Sequence, residues 1–454
     1  MNRLFTLFAL CLVWVSGAVS ASDYVEAEFL VRFKDQIAQS RVSDFMRDER
    51  IQSHEILIAA LNLHRVVAKT ETGAVALMRQ WRDRDEVKYV QRNHRVSPRN
   101  TPDDPELERQ WNLNEKSGVG HISAEAAWDI GTGGTDILGA RVVVAVVDGG
   151  VDIHHPDLSE NIWKNSDEIP DNGVDDDGNG YVDDVNGWNA YNDSGEIPKN
   201  RHGTHVAGII GAKGNNGIGG SGVNWDVDVM AVAGSSGTTA VVAKAYGYVM
   251  VQKKRFLDSG GAKGANVVAT NSSFGVNFGE CDSEAYRVWN DLYDSMGELG
   301  ILSAAATANL DINVDDRGDV PTGCSSPYII SVTNTDAQNK KYGSAAFGKT
   351  HVDLGAPGTG ILSTLPDGKS GELTGTSMAT PHVAGAVALM SSVVAECFAE
   401  FSRAEPGRAA LDLKKMLLDS VEPVADLKDS TVSGGKLNLY GANRLAFLTG
   451  CVVP

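Results

Sequence analysis

Three short segments carry side chains that could perform acyl transfer together. Asp148 follows the apolar run Val142 to Val147 and precedes Gly149-Gly150; His202 opens His202-Gly203-Thr204-His205-Val206-Ala207-Gly208; Ser377 sits in Gly375-Thr376-Ser377-Met378-Ala379-Thr380-Pro381-His382. Taken singly, each has a plain structural reading: an Asp past a strand is a turn residue, a His at a helix start is structural, and a Ser ahead of a helix is an N-cap. As a set they read differently. A hydroxyl is a poor nucleophile until a base takes its proton, and the base needs an acid to orient it and to stabilise the imidazolium. Pro381 and the apolar run Val383 to Met390 predict a helix beginning near the serine. Ser377 would then sit among free backbone N–H groups at the positive end of the helix dipole, suited to a developing oxyanion. Two other chemistries fit badly. Histidines three apart without an adjoining Glu are not the zinc-peptidase arrangement, and with Ala379 two places after Ser377 there is no Gly-x-Ser-x-Gly elbow.

A separate signal lies in Asp175-Asp176-Asp177-Gly178-Asn179-Gly180-Tyr181-Val182-Asp183, where oxygen-bearing residues recur at every second place with Gly at the sixth. That is the spacing of a calcium loop, so Ca2+ is the expected cofactor, held by Asp175, Asp177, Asn179, the Tyr181 carbonyl and Asp183. The twelfth place is Asn186 instead of Glu, so another carboxylate, Asp184, is expected to compensate. The competing reading is a hydrated acidic surface loop.

The elements that must position these groups form an α/β pattern. Val142 to Val147, Asn266 to Ala269 and Ile301 to Ala306 are continuous apolar or small runs, as parallel strands covered on both faces require. Helical stretches at Val206 to Ala212, Thr239 to Phe256 and Ser283 to Leu299 alternate with them, which predicts a parallel sheet flanked by helices. Polar residues just past such strands lie where ligands bind. Ahead of this part, Glu28 to Phe33 alternates like a strand, Val42 to Arg50 is helix-like and Val87 to Val90 is strand-like, a small α+β unit ending at the turn-rich Ser97 to Pro105.

Composition narrows the classes further. Of 454 residues, 42% are hydrophobic and 22% charged, which suits a globular chain and excludes disorder or coiled coil. The net charge of −19 disfavours nucleic acid as a partner. The acidity belongs to the second part: 14 Lys and Arg face 12 Asp and Glu between Ser22 and Arg99, against 25 and 47 from Asn100 onward. Residues 1–21 read as a secretory signal, with a basic start, an apolar stretch too short for a membrane anchor and small residues at Val19-Ser20-Ala21. Four cysteines remain after it, Cys281, Cys324, Cys397 and Cys451, an even number that in an exported chain reads as two disulfides with three possible connectivities.

The segments around Asp148, His202 and Ser377, in that order, resemble those of the subtilisin-like serine peptidases, over about Trp111 to Ala442. The resemblance implies a subtilisin-like fold, Asp148 as orienting acid, His202 as base, Ser377 as nucleophile and Asn309, in Ala305-Ala306-Thr307-Ala308-Asn309, as the amide donor to the oxyanion. Two positions depart from the family pattern: Gly149 stands where Ser or Thr is usual, and Ala308 where Gly is. Asn271-Ser272-Ser273-Phe274-Gly275 resembles the strand that pairs with an extended peptide, so Ser273, Phe274 and Gly275 are expected to contact substrate, with Ser235-Ser236-Gly237 as the facing strand and Gly237 a further contact. Main-chain pairing of that kind implies broad specificity. Asp157 matches a calcium-ligand position of many subtilisins, while the accompanying loop Gly214 to Ile218 matches only in part. The small first unit resembles the family's inhibitory propeptide, giving residues 22–101 as propeptide and linker and 102–454 as the peptidase domain. Cys281 and Cys324 flank segments that converge on the substrate pocket in this family, which pairs Cys281 with Cys324 and Cys397 with Cys451. The expected protein is a secreted, monomeric serine endopeptidase acting on protein or peptide substrates, made as a zymogen and stabilised by calcium. The alternatives are a narrow-specificity processing protease and an inactive binding protein that kept the fold.

Overall fold

The computed structural model describes residues 24–94 and 100–449. The expected signal segment and Cys451 lie outside the described residues. The chain divides into two compact units, residues 1–98 and 99–454.

In the first unit β1 (Tyr24–Phe33), α1 (Gln39–Met46), β2 (Ile51–Ile58), β3 (Leu63–Ala68), α2 (Glu71–Arg82) and β4 (Val87–His94) follow one another. The strands form an antiparallel sheet in the order β2-β3-β1-β4. Phe29, Val31 and Phe33 alternate inward along β1 and pack against Leu77 and Trp81 of α2. The helix expected from Val42 lies earlier, because Ile51–Ile58 is an edge strand whose exposed, non-alternating side chains give no period-two signal.

In the second unit the order is α3 (Ala124–Trp128), β5 (Val142–Asp148), β6 (Gly187–Asn189), α4 (Arg201–Gly211), β7 (Asp228–Ala233), α5 (Thr239–Asp258), β8 (Asn266–Ser272), β9 (Val276–Asn277), α6 (Arg287–Glu298), β10 (Leu302–Ala306), α7 (Val314–Arg317), β11 (Asp319–Val320), β12 (Ile329–Thr335), β13 (Leu354–Pro357), β14 (Ile361–Leu365), β15 (Lys369–Leu373), α8 (Thr376–Val393), α9 (Glu396–Ala404), α10 (Pro406–Asp419), β16 (Glu422–Pro423), β17 (Gly435–Lys436) and α11 (Leu439–Leu448). Among the described residues the main sheet has nine strands, β16-β17-β13-β12-β10-β8-β5-β7-β6, parallel except for the β16–β17 pair. Every residue of β5 is buried, and its side chains enter both core layers: Val142, Val144 and Val146 on one face, Val143, Ala145 and Val147 on the other. The first face packs on α4 and α8, and α8 is apolar almost all round because it runs through the core.

α8 begins at Thr376, beside the serine as the sequence implies, and Pro381 lies inside the helix. Its missing N–H frees the carbonyl four residues back, that of Ser377, which accepts the Ser273 hydroxyl at 3.0 Å. The segment Ser235-Ser236-Gly237, expected as a strand, is instead a bend after β7, with Gly237 at φ 90°.

Candidate active site

Three strands end at the carboxyl edge of the sheet, β5 at Asp148, β8 at Ser272 and β10 at Ala306, and α8 begins with Ser377 in its first turn. Asp148, 3% exposed, accepts the backbone N–H of Gly149 through Oδ1 (2.7 Å) and faces His202 Nδ1 through Oδ2 at 2.8 Å. His202 sits in the first turn of α4, whose cap is Asn200: its Oδ1 accepts from the N–H groups of His202 (2.8 Å) and Gly203 (3.1 Å). Burial pushes His202 down, but the hydrogen bond and charge of Asp148 outweigh it and hold the imidazole above its ordinary value.

Two glycines make this close approach possible. A Cβ on Gly203 would stand 2.0 Å from the Gly150 carbonyl and 2.9 Å from Asp148 Cβ, so α4 could not lie against β5. A Cβ on Gly149 would fall 2.4 Å from Asn200 Nδ2. The space that a Ser or Thr side chain would take beside the acid is therefore filled by the residue that caps the histidine's helix.

Ser377 Oγ donates to the Ser273 carbonyl at a long 3.4 Å, and among the described residues no hydrogen bond joins it to His202. Catalytic hydrogen bonds are commonly long without substrate and tighten in the complex. Asn309 follows β10, and its Oδ1 accepts from the N–H (3.0 Å) and hydroxyl (3.2 Å) of Thr376, which fixes the amide's orientation one residue from Ser377. Ala308 is not among the described non-glycine residues with positive φ, so the backbone does not demand the usual Gly there, and its N–H donates to Asp319 Oδ2 at 3.1 Å. Ser273, Phe274, Gly275, Asn309 and Ser377 all line one cavity of about 210 Å3; Gly237 does not line it. The other two motif histidines are structural: His205 Nε2 lies 2.9 Å from the Ile361 carbonyl, His382 bridges Met378 O and Asn112, and burial pushes both down to about 4.

The acidic loop assembles differently from its expected ligand list. Oxygens of Glu168, Asp175 and Asp177 lie within 4.8 Å of one another. Glu168, buried at 6% exposure, was not predicted; it precedes the loop by several residues, and only the packing of the chain brings it back. Asp183 is not one of these three, and its carboxylate accepts from the N–H groups of Asn172 (3.0 Å) and Gly173 (3.1 Å). Asn179 spends its Oδ1 on the Tyr181 N–H (2.7 Å) and its amide on Asp177 (3.1 Å) and Asp184 (3.0 Å), and the Tyr181 ring packs on Trp188 and Tyr248. Asp184, fully buried, accepts from Asn165, Asn179, Tyr248 and Gln252, while burial pushes it up to about 6. Asp157 lines a separate cavity of about 450 Å3 that shares no residue with the site of Ser377; it accepts from Asn216 (3.0 Å) and Gly220 (3.2 Å), and burial pushes it up to about 7.

Cys281 and Cys324 are bonded, 43 residues apart, across the short β9–β11 pair. The second expected bridge involves Cys451, outside the described residues. Among the described residues no single helix is long and apolar enough to cross a membrane.

Residues 139–442 match the subtilase family of peptidases. The chain is 31% identical over 338 residues to a subtilisin-like protease 1 of Plasmodium vivax, covering 68% of this chain and 49% of that protein. It is 33% identical over 338 residues to an extracellular protease of Xanthomonas campestris, covering 70% and 54%. The chain thus spans about half the length of the curated relatives it matches. A solved protease of Pseudoalteromonas arctica superposes with a TM-score of 0.55 at 26% identity, over 76% of this chain and 100% of that one.

Proposed function

This chain belongs to the subtilase family, and from that premise we propose that it is an exported serine endopeptidase made as a zymogen and stabilised by calcium. The observation that carries the reading is the 2.8 Å Asp148–His202 pair, on the carboxyl edge of the same sheet that presents Ser377 and Asn309. In the proposed reaction Ser377 Oγ attacks the peptide carbonyl while His202 Nε2 takes its proton. The C=O electron pair moves onto oxygen, held by the Ser377 N–H and Asn309 Nδ2. As the C–N bond breaks, His202 returns the proton to the leaving amine; water then repeats the sequence on the acyl-enzyme. Asp148 keeps the proton of His202 on Nδ1 and stabilises the imidazolium.

Glu168, Asp175 and Asp177 offer three hard oxygen donors that fit Ca2+. The ion would neutralise their mutual repulsion and hold the loop, with no part in the proton transfers. The first unit is assigned as propeptide, released within the turn-rich segment 97–105, and export accords with the extracellular relatives in Xanthomonas and Dichelobacter nodosus. Labelling of the purified protein by an organophosphonate tests the central claim. Covalent modification that disappears in Ser377→Ala supports it; no labelling of folded protein points to the inactive binding protein.

A further inference from the structure

The cavity beside Ser377 contains a feature that peptide hydrolysis does not require. Among its described lining residues Asp319 alone is ionisable. The residue is 1% exposed, and its Oδ2 accepts from the Ala308 N–H and the Thr322 hydroxyl. No described donor bonds Oδ1, and no described Lys, Arg or His pairs with the carboxylate. A carboxylate withdrawn from water without a counter-charge is costly, and burial pushes this one up to about 6. Its position is nonetheless firmly set. Asp319 stands opposite Asn277 in the β9–β11 pair, and the Cys281–Cys324 bond closes the same two segments. An acid anchored in this way, in a cavity that also presents Phe274, complements a side chain with an apolar stem and a cationic tip.

We propose that Asp319 determines specificity by pairing with the ammonium of Lys or the guanidinium of Arg in the residue immediately before the scissile bond. The inference rests on the peptidase reading and narrows its substrate class. The competing role is purely structural: through Ala308, Asp319 would only hold the backbone that leads to Asn309.

Fluorogenic peptides identical except for Lys, Arg, norleucine or Phe before the cut separate these roles, because norleucine keeps the lysine stem and removes the charge. Lys should exceed norleucine in kcat/KM by about 10- to 100-fold, as expected of a buried charge-assisted pair. Asp319→Asn preserves an acceptor for Ala308 and Thr322, and should bring that ratio to about 1. A purely structural Asp319 would slow all four substrates alike and leave the ratio standing, which overturns the proposal. So does a wild-type ratio at or below 1, a result that needs no folded variant. Ser377-dependent hydrolysis with no preference for Lys sinks this inference alone, whereas no Ser377-dependent hydrolysis of any peptide sinks the peptidase reading with it.

Discussion

The corner around Asp148 and the loop around Asp175 use the same residue type for opposite ends. At the corner a single buried carboxylate at the end of β5 meets a histidine carried on α4 and the backbone N–H of the next residue, Gly149. In the loop the carboxylates of Glu168, Asp175 and Asp177 converge, and among the described residues the only cation touching them is Arg255, 3.4 Å from Asp177. The corner is electrostatically complete from protein groups alone; the loop collects more negative charge than its neighbours balance. Side chains bound for chemistry are thus oriented by the fold, while the loop's order is expected to depend on an ion.

The sharpest way to break this contrast is Ser377→Ala. Turnover should fall about 10⁶-fold, the loss known for the nucleophile of subtilisin, which belongs to this family. Melting should hardly move, and retention of more than a thousandth of the activity would refute the assignment. Asn309→Ala comes next, with kcat lower by about 10²- to 10³-fold and KM little changed, again the scale set by subtilisin; a change confined to KM would show that Asn309 binds substrate without serving the transition state.

On the loop's side, excess chelator should lower the melting temperature without altering the pH profile of the protein that stays folded. Ligand at 100 times its Kd contributes about 2.7 kcal/mol, a shift of several degrees. An unchanged melting temperature, in protein shown by elemental analysis to have carried calcium beforehand, would place the ion elsewhere. The smallest effect is the acid limb of kcat/KM. The base acts only when neutral and Asp148 raises its pKa, so activity should be lost as pH falls through a value above the ordinary 6.5. The same pair adds stability at low pH that disappears as pH rises through the His202 pKa, so activity and this increment of stability move in opposite directions. Asp148→Asn should move the inflection downward, and an inflection that stays put would show that another group titrates.

Much of this architecture was legible in sequence because parallel strands buried on both faces are continuous apolar runs, as in β5 and β10, and because polar residues past their ends are few. The misreadings have physical causes. α8 starts beside Ser377 as expected, but contacts of Thr376 and Ser377 with other elements leave Pro381 well inside the helix and not at its head. Spacing pointed to the acidic loop but had no means of finding Glu168, which joins Asp175 and Asp177 from outside the repeat. Asp319 lay four residues short of Gly323 in a turn-rich stretch with no periodic signal, and only the β9–β11 pairing reveals that it faces the cavity.

Pro381 illustrates a trade between robustness and performance. A proline inside a regular helix costs about 3 kcal/mol, and replacing this buried one with alanine would regain part of that while opening a cavity in the core. The new N–H would compete with the Ser273 hydroxyl for the Ser377 carbonyl, loosening the tie between a residue that lines the cavity and the peptide group of Ser377. Pro381 lines no part of that cavity, yet through one freed carbonyl it bears on how the cavity wall is held.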